Sequence, residues 1–69
     1  MSRKKLCDFG KEIGHALVEF NQPKEWLIQE VRKDTGLYFD RSYLHKIETG
    51  ELSTPKITSS IRKILNLSA

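Results

Sequence analysis

Asp40-Arg41-Ser42-Tyr43-Leu44-His45-Lys46-Ile47-Glu48-Thr49-Gly50 is the stretch on which the fold turns. Asp40 is a good N-cap, because its carboxylate can accept an orphan backbone N–H. Tyr43, Leu44 and Ile47 recur at i, i+1 and i+4, and Gly50 can close a helix at positive φ. The pattern predicts a helix over about 41–49. Leu44 and Ile47 face inward, while Arg41, Ser42, His45 and Lys46 project from the other side.

Working outward, Ser53-Thr54-Pro55 reads as a hydroxyl cap followed by proline at a first helical position. Ile57, Ile61, Ile64 and Leu65 then recur at helical spacing, predicting a helix over about 55–66. Upstream, Leu37-Tyr38-Phe39 is too short for a helix and has no strand partner, so it reads as a buried connector. Pro23 opens a helix over about 23–34, with Trp26, Leu27 and Val31 on its apolar side. Glu25 near its start and Arg32 and Lys33 near its end match the macrodipole. Gly36 supplies the stop, with Leu37 folding back on the last turn. Leu6, Phe9, Ile13, Ala16, Leu17 and Phe20 make one stripe, predicting a first helix over about 7–20. It ends at Asn21-Gln22-Pro23, since the residue before proline avoids the helical region. The fold class expected is all-α, a small bundle of about four helices.

Two short helices joined by a glycine-containing turn, the second rich in long polar side chains, form a helix-turn-helix pattern. In such a unit the second helix lies in the major groove and the first braces it. Arg and Lys donate to guanine O6 and N7, and Ser or His can donate or accept. On spacing alone, the same pattern equally describes an ordinary amphipathic surface helix.

The run Ser42 to Gly50, followed by Ser53-Thr54-Pro55 and Ile57, resembles the recognition helix and following loop of Cro/phage-repressor-type (XRE-like) helix-turn-helix proteins. Phe9-Gly10-Lys11-Glu12-Ile13 through Trp26-Leu27 resembles the first two helices of that family, so the likeness spans about residues 9–67. The resemblance implies a lambda-repressor-like fold and sequence-specific binding of double-stranded DNA by a prokaryotic or phage transcriptional regulator. It implies base reading by Arg41, Ser42, His45 and Lys46, and phosphate contacts from Lys24, Thr49, Ser53 and Thr54. Three features depart from the family pattern. About six residues are added between Leu27 and Asp40, roughly four of them lengthening the second helix by one turn. Ile28 stands where a small residue is usual. Leu17 stands where a basic partner for Glu48 is usual, so Glu48 needs another partner or stays solvated.

Charge is unevenly placed along the 69 residues, whose net charge is +3. Residues 1–5 carry +3, residues 6–40 carry −3, and residues 41–69 carry +3. A basic C-terminal half and a basic arm over 1–6 suit a polyanion. Arg3, Lys4 and Lys5 read either as an arm along a phosphate backbone or as a solubilising tail. Residues 7–67 read as one domain, with no linker or repeat. No apolar run reaches the roughly 18 residues of a membrane span, and nothing apolar follows the basic start as in a secretory signal. A single cysteine, Cys7, forms no internal disulfide, which points to a reducing cytoplasm.

Cys7, His15 and His45 are the soft-metal candidates, and no two sit at ligand spacing, so no metal or other cofactor is expected. Cys7 reads as a buried or partly buried helix residue and His15 as solvent-facing. Tyr38 and Tyr43 read as packing residues, and Trp26 as core or a partner contact. No residues suggest catalysis, so the chain reads as a non-enzyme. A domain this small buries little surface on DNA, so a homodimer on two half-sites is expected, with Leu65 and Leu67 as its interface. The rivals are a protein-interaction module on the same fold, favoured by the acidic 6–40 segment, and an accessory recombination factor that bends DNA.

Overall fold

A computed structural model of the chain describes residues 6–67. Four helices follow one another: α1 (Asp8–Phe20), α2 (Lys24–Thr35), α3 (Arg41–Glu48) and α4 (Pro55–Leu65). The chain is an all-α bundle, as the spacing of its apolar residues predicts. One core collects Ile13, Ala16 and Leu17 from α1, Leu27, Ile28 and Val31 from α2, and Leu44 and Ile47 from α3. Phe39 and the α4 residues Ile57, Ile61 and Leu65 complete it. Each Leu, Ile, Val or Phe side chain among these, withdrawn from water, contributes about 1.5–3 kcal/mol before conformational entropy is set against it.

The helix ends correct several sequence expectations. Cys7 is not helical but is the N-cap of α1, where its Sγ accepts the Gly10 N–H at 3.4 Å. Pro23 is likewise an N-cap, extended at ψ 167, rather than the first helical residue of α2. α1 and α4 both end on an asparagine in the left-handed region, Asn21 at φ 57 and Asn66 at φ 58. Asparagine tolerates this region better than other side-chain-bearing residues, so the turn before Pro23 is set by Asn21 as well as by the proline. Gly36 ends α2 at φ 69, with its N–H donating to the Arg32 carbonyl at 2.9 Å.

The connector between α2 and α3 is only one-third buried by residue. Phe39 is sealed at 0% exposure, while Leu37 and Tyr38 stand 40% and 71% exposed. Phe39 takes the core position because it packs against Tyr43, with ring centroids 5.1 Å apart. Leu37 stays out, and its N–H donates to Thr35 Oγ1 at 3.1 Å. At the α4 start, Thr54 occupies the N-cap but its hydroxyl makes no cap bond. It is engaged instead with the Tyr43 hydroxyl at 2.7 Å, tying the entry of α4 to α3. Leu65 is 2% exposed and Leu67 packs on the core, so Leu65 is spent inside the bundle rather than presented as an interface. Trp26 is half-buried against Phe20, at 5.8 Å between centroids.

α4 packs chiefly on α2 and is locked there by Asp34. Its carboxylate accepts from the buried Ser60 hydroxyl at 2.7 Å and from the Lys63 ammonium at 2.7 Å. No helix among the described residues is long and apolar enough to cross a membrane.

Candidate functional site

Three contacts fix α3. At its start, Asp40 Oδ1 accepts the Tyr43 N–H at 2.8 Å, the N-cap bond expected from sequence. Asp40 Oδ2 accepts the Tyr38 hydroxyl, so the exposed connector tyrosine orients the cap. These donors hold the Asp40 carboxyl below the usual carboxylate range, and Asp40 in turn pushes the Tyr38 phenol up.

At its end, α3 meets α1 backbone to backbone. The Cys7 N–H donates to the Glu48 carbonyl at 2.8 Å. A Cβ added to Gly10 would stand 2.9 Å from the Glu48 carbonyl carbon, inside any real contact distance. Gly10 is thus the point of close approach between α1 and the end of α3, while Ile28 of α2 lies in the core.

The third contact answers the open question of Glu48. Its side chain is 3% exposed and paired with Lys24, whose Nζ lies 3.2 Å from Oε2 and 3.2 Å from Oε1. The first residue of α2 and the last of α3 are therefore joined by a half-sheltered ion pair.

Held this way, α3 buries Leu44, Ile47 and Glu48 and exposes Arg41, Ser42, His45 and Lys46. All four of the expected base-reading residues line one open groove, with Lys24 and the acids Glu48 and Glu51. Arg41 is 3.0 Å from Glu25, both side chains well exposed, so this pair contributes little and is readily exchanged. Lys24 lies in the groove wall but is committed to Glu48. Among the other expected phosphate contacts, Ser53 is exposed, whereas the hydroxyls of Thr49 and Thr54 are engaged within the chain. Arg3, Lys4 and Lys5 lie outside the described residues.

Sequence reasoning missed Glu25 and Glu51 as acidic members of this surface. Their spacing from α3 in the chain gives no sign of it, because the groove is built only when α2 and the α3–α4 loop fold around α3. It also missed Tyr38 as the residue that orients Asp40, although an aromatic hydroxyl two residues before a capping Asp is a legible signal. Among the described residues no group of three His, Cys, Asp or Glu side chains could hold a metal ion. Cys7 is half-buried and His15 is exposed, far apart in role: one caps α1, the other stands on its outer face. Comparison with family models, with curated proteins and with solved structures finds no match to this chain.

Proposed function

We propose that the chain is a sequence-specific double-stranded DNA-binding protein of the helix-turn-helix kind, a regulator of transcription that acts by occupancy and not by catalysis. The observation that carries this is the exposed row Arg41, Ser42, His45 and Lys46 on one side of a helix whose other side is pinned into the core. An α-helix with its side chains is about 10–12 Å across, and a major groove about 12 Å wide admits it. Arg41 and Lys46 donate to guanine O6 and N7, while Ser42 and His45 contact base edges as donors or acceptors. Ser53, and Lys24 and the threonines where their partners release them, contribute phosphate contacts, as do Arg3, Lys4 and Lys5. These set register and salt dependence rather than sequence preference.

The scale of the domain argues for two copies on DNA, one per half-site about one helical turn apart. The resemblance of Ser42–Gly50 to phage-repressor recognition helices supports the same reading, with a cytoplasmic location. A protein-interaction role is the second reading, favoured by Glu25 and Glu51 beside the basic row and by the exposed Tyr38. Titration of a mixed-sequence duplex at several salt concentrations separates the two. Each neutralised phosphate adds about −0.9 to the log–log salt slope, so a slope steeper than about −2 is expected. Absence of binding at low salt would overturn the proposal.

A further inference from the structure

α1 buries Gly10, Ile13, Ala16 and Leu17, and its opposite side runs through Lys11, His15, Val18 and Glu19, all exposed. Six large hydrophobic side chains are exposed among the described residues, and three of them, Leu6, Val18 and Phe20, belong to α1 or its approach. Val18 is 80% exposed, more than any other of the six. Open grooves flank the ridge made by Lys11, His15 and Glu19. One is bordered by Leu6 and Val18, the other by Phe20 and Leu67. Gly14 leaves a notch beside the ridge, with nothing within 4 Å of where its Cβ would stand.

We propose that this face of α1 pairs antiparallel with α1 of a second copy, about a twofold axis at His15. The charge pattern selects both occupant and direction. Lys11 and Glu19 stand four residues either side of His15, so antiparallel pairing sets Lys11 against Glu19 of the second copy, twice. That self-complementarity is what a twofold interface requires. Parallel pairing would set Lys11 against Lys11 and Glu19 against Glu19. Neither residue makes an ion pair with another described residue, whereas the neighbouring Glu12 turns toward Arg62 at 4.0 Å. Eight positions apart on one helix, Lys11 and Glu19 are also too distant to pair with each other. Val18 and Leu6 fill the flanking groove, and the Gly14 notch lets the two backbones draw together. This assigns a surface to the second copy invoked above, but it rests on α1 alone.

Sedimentation of the DNA-free chain tests it, so that its failure is distinguishable from failure of the DNA reading. Reversible dimerisation is expected, with Val18→Asp monomeric at concentrations where the parent is dimeric. Lys11→Glu and Glu19→Lys should each weaken association about tenfold, and the double exchange should restore it. Circular dichroism will show all four variants folded, because every altered side chain is exposed. A parent chain monomeric to about millimolar concentration, roughly 4 kcal/mol of association, would overturn the proposal. So would a dimer indifferent to Val18→Asp, or single reversals that the double exchange fails to rescue.

Discussion

Glu48, at the end of α3, is buried against Lys24, at the start of α2, with the ammonium 3.2 Å from each carboxylate oxygen. The two residues lie 24 positions apart, and their pairing fixes the end of the exposed helix against the helix that braces it. A buried carboxylate left without its partner is strongly unfavourable.

Removing the ammonium should therefore cost stability, not only any phosphate contact it makes. Lys24→Met is expected to destabilise by about 1–3 kcal/mol, below the 3–5 typical of fully buried pairs because Lys24 is half exposed. The double variant Lys24→Met/Glu48→Gln should recover part of that loss, since it removes the stranded charge. Urea denaturation of the three proteins measures both terms. Equal stability of Lys24→Met and the parent would show that the pair holds nothing.

The glycines of α1 should respond in opposite directions to the same substitution. Gly10→Ala drives a methyl into the Glu48 backbone and is expected to cost about 3 kcal/mol or more, as severe overpacking does. Gly14→Ala meets open space and should stabilise by about 0.5–1 kcal/mol through helix propensity. Thermal unfolding at low protein concentration reads both without interference from self-association.

Much of this was legible in the sequence, and the failures share a physical cause. The apolar spacings through Ile13–Leu17, Leu44–Ile47 and Ile57–Leu65 placed the helices, because burying one stripe is the same problem for any helix. Asp40 and Gly36 were legible as cap and stop because capping is local chemistry. Thr54 stands at the expected cap position, but its hydroxyl goes to the distant Tyr43, and Cys7 caps α1 rather than joining it, its Sγ also donating to the Ile47 carbonyl. Leu37 and Tyr38 read as buried on hydrophobicity alone, yet of these three residues only Phe39 enters the core. The row Arg41, Ser42, His45 and Lys46 came out exposed as expected, while its acidic neighbours Glu25 and Glu51 arrive from other segments and left no local trace.

Acid should loosen the α2–α4 contact and the start of α3 together. The Asp34 carboxyl is held below its ordinary range by hydrogen bonds from Lys63 and Ser60, and that of Asp40 by Tyr38 and the Tyr43 N–H. A carboxyl with a lower pKa in the folded state binds fewer protons there than in the unfolded chain. Its contribution is complete above the unfolded value of about 3.9 and is lost as pH falls through the folded value. Stability should drop below about pH 4, and Asp34→Asn with Asp40→Asn should flatten that acid limb. An unchanged acid limb in the double variant would contradict the assignment.

On the proposed DNA-binding reading, Glu25 competes with DNA for Arg41, so its neutralisation should strengthen binding. Glu25→Gln frees the guanidinium and removes a charge that repels phosphate. An increase of a few-fold in affinity for every duplex is expected at low salt, shrinking as salt rises. Fluorescence anisotropy on mixed and specific duplexes checks it. A loss of affinity would mean that Glu25 orients Arg41 rather than competing for it.

On the proposed function, α3 reads base sequence. Selection from a randomised duplex library, with Arg41→Ala run alongside the parent chain, tests it most directly. Enrichment of a two-half-site motif is expected, with Arg41→Ala relaxing preference at one base pair of each half-site by about 1–3 kcal/mol. Enrichment of no motif by the parent chain, or an identical motif and affinity from Arg41→Ala, would contradict it.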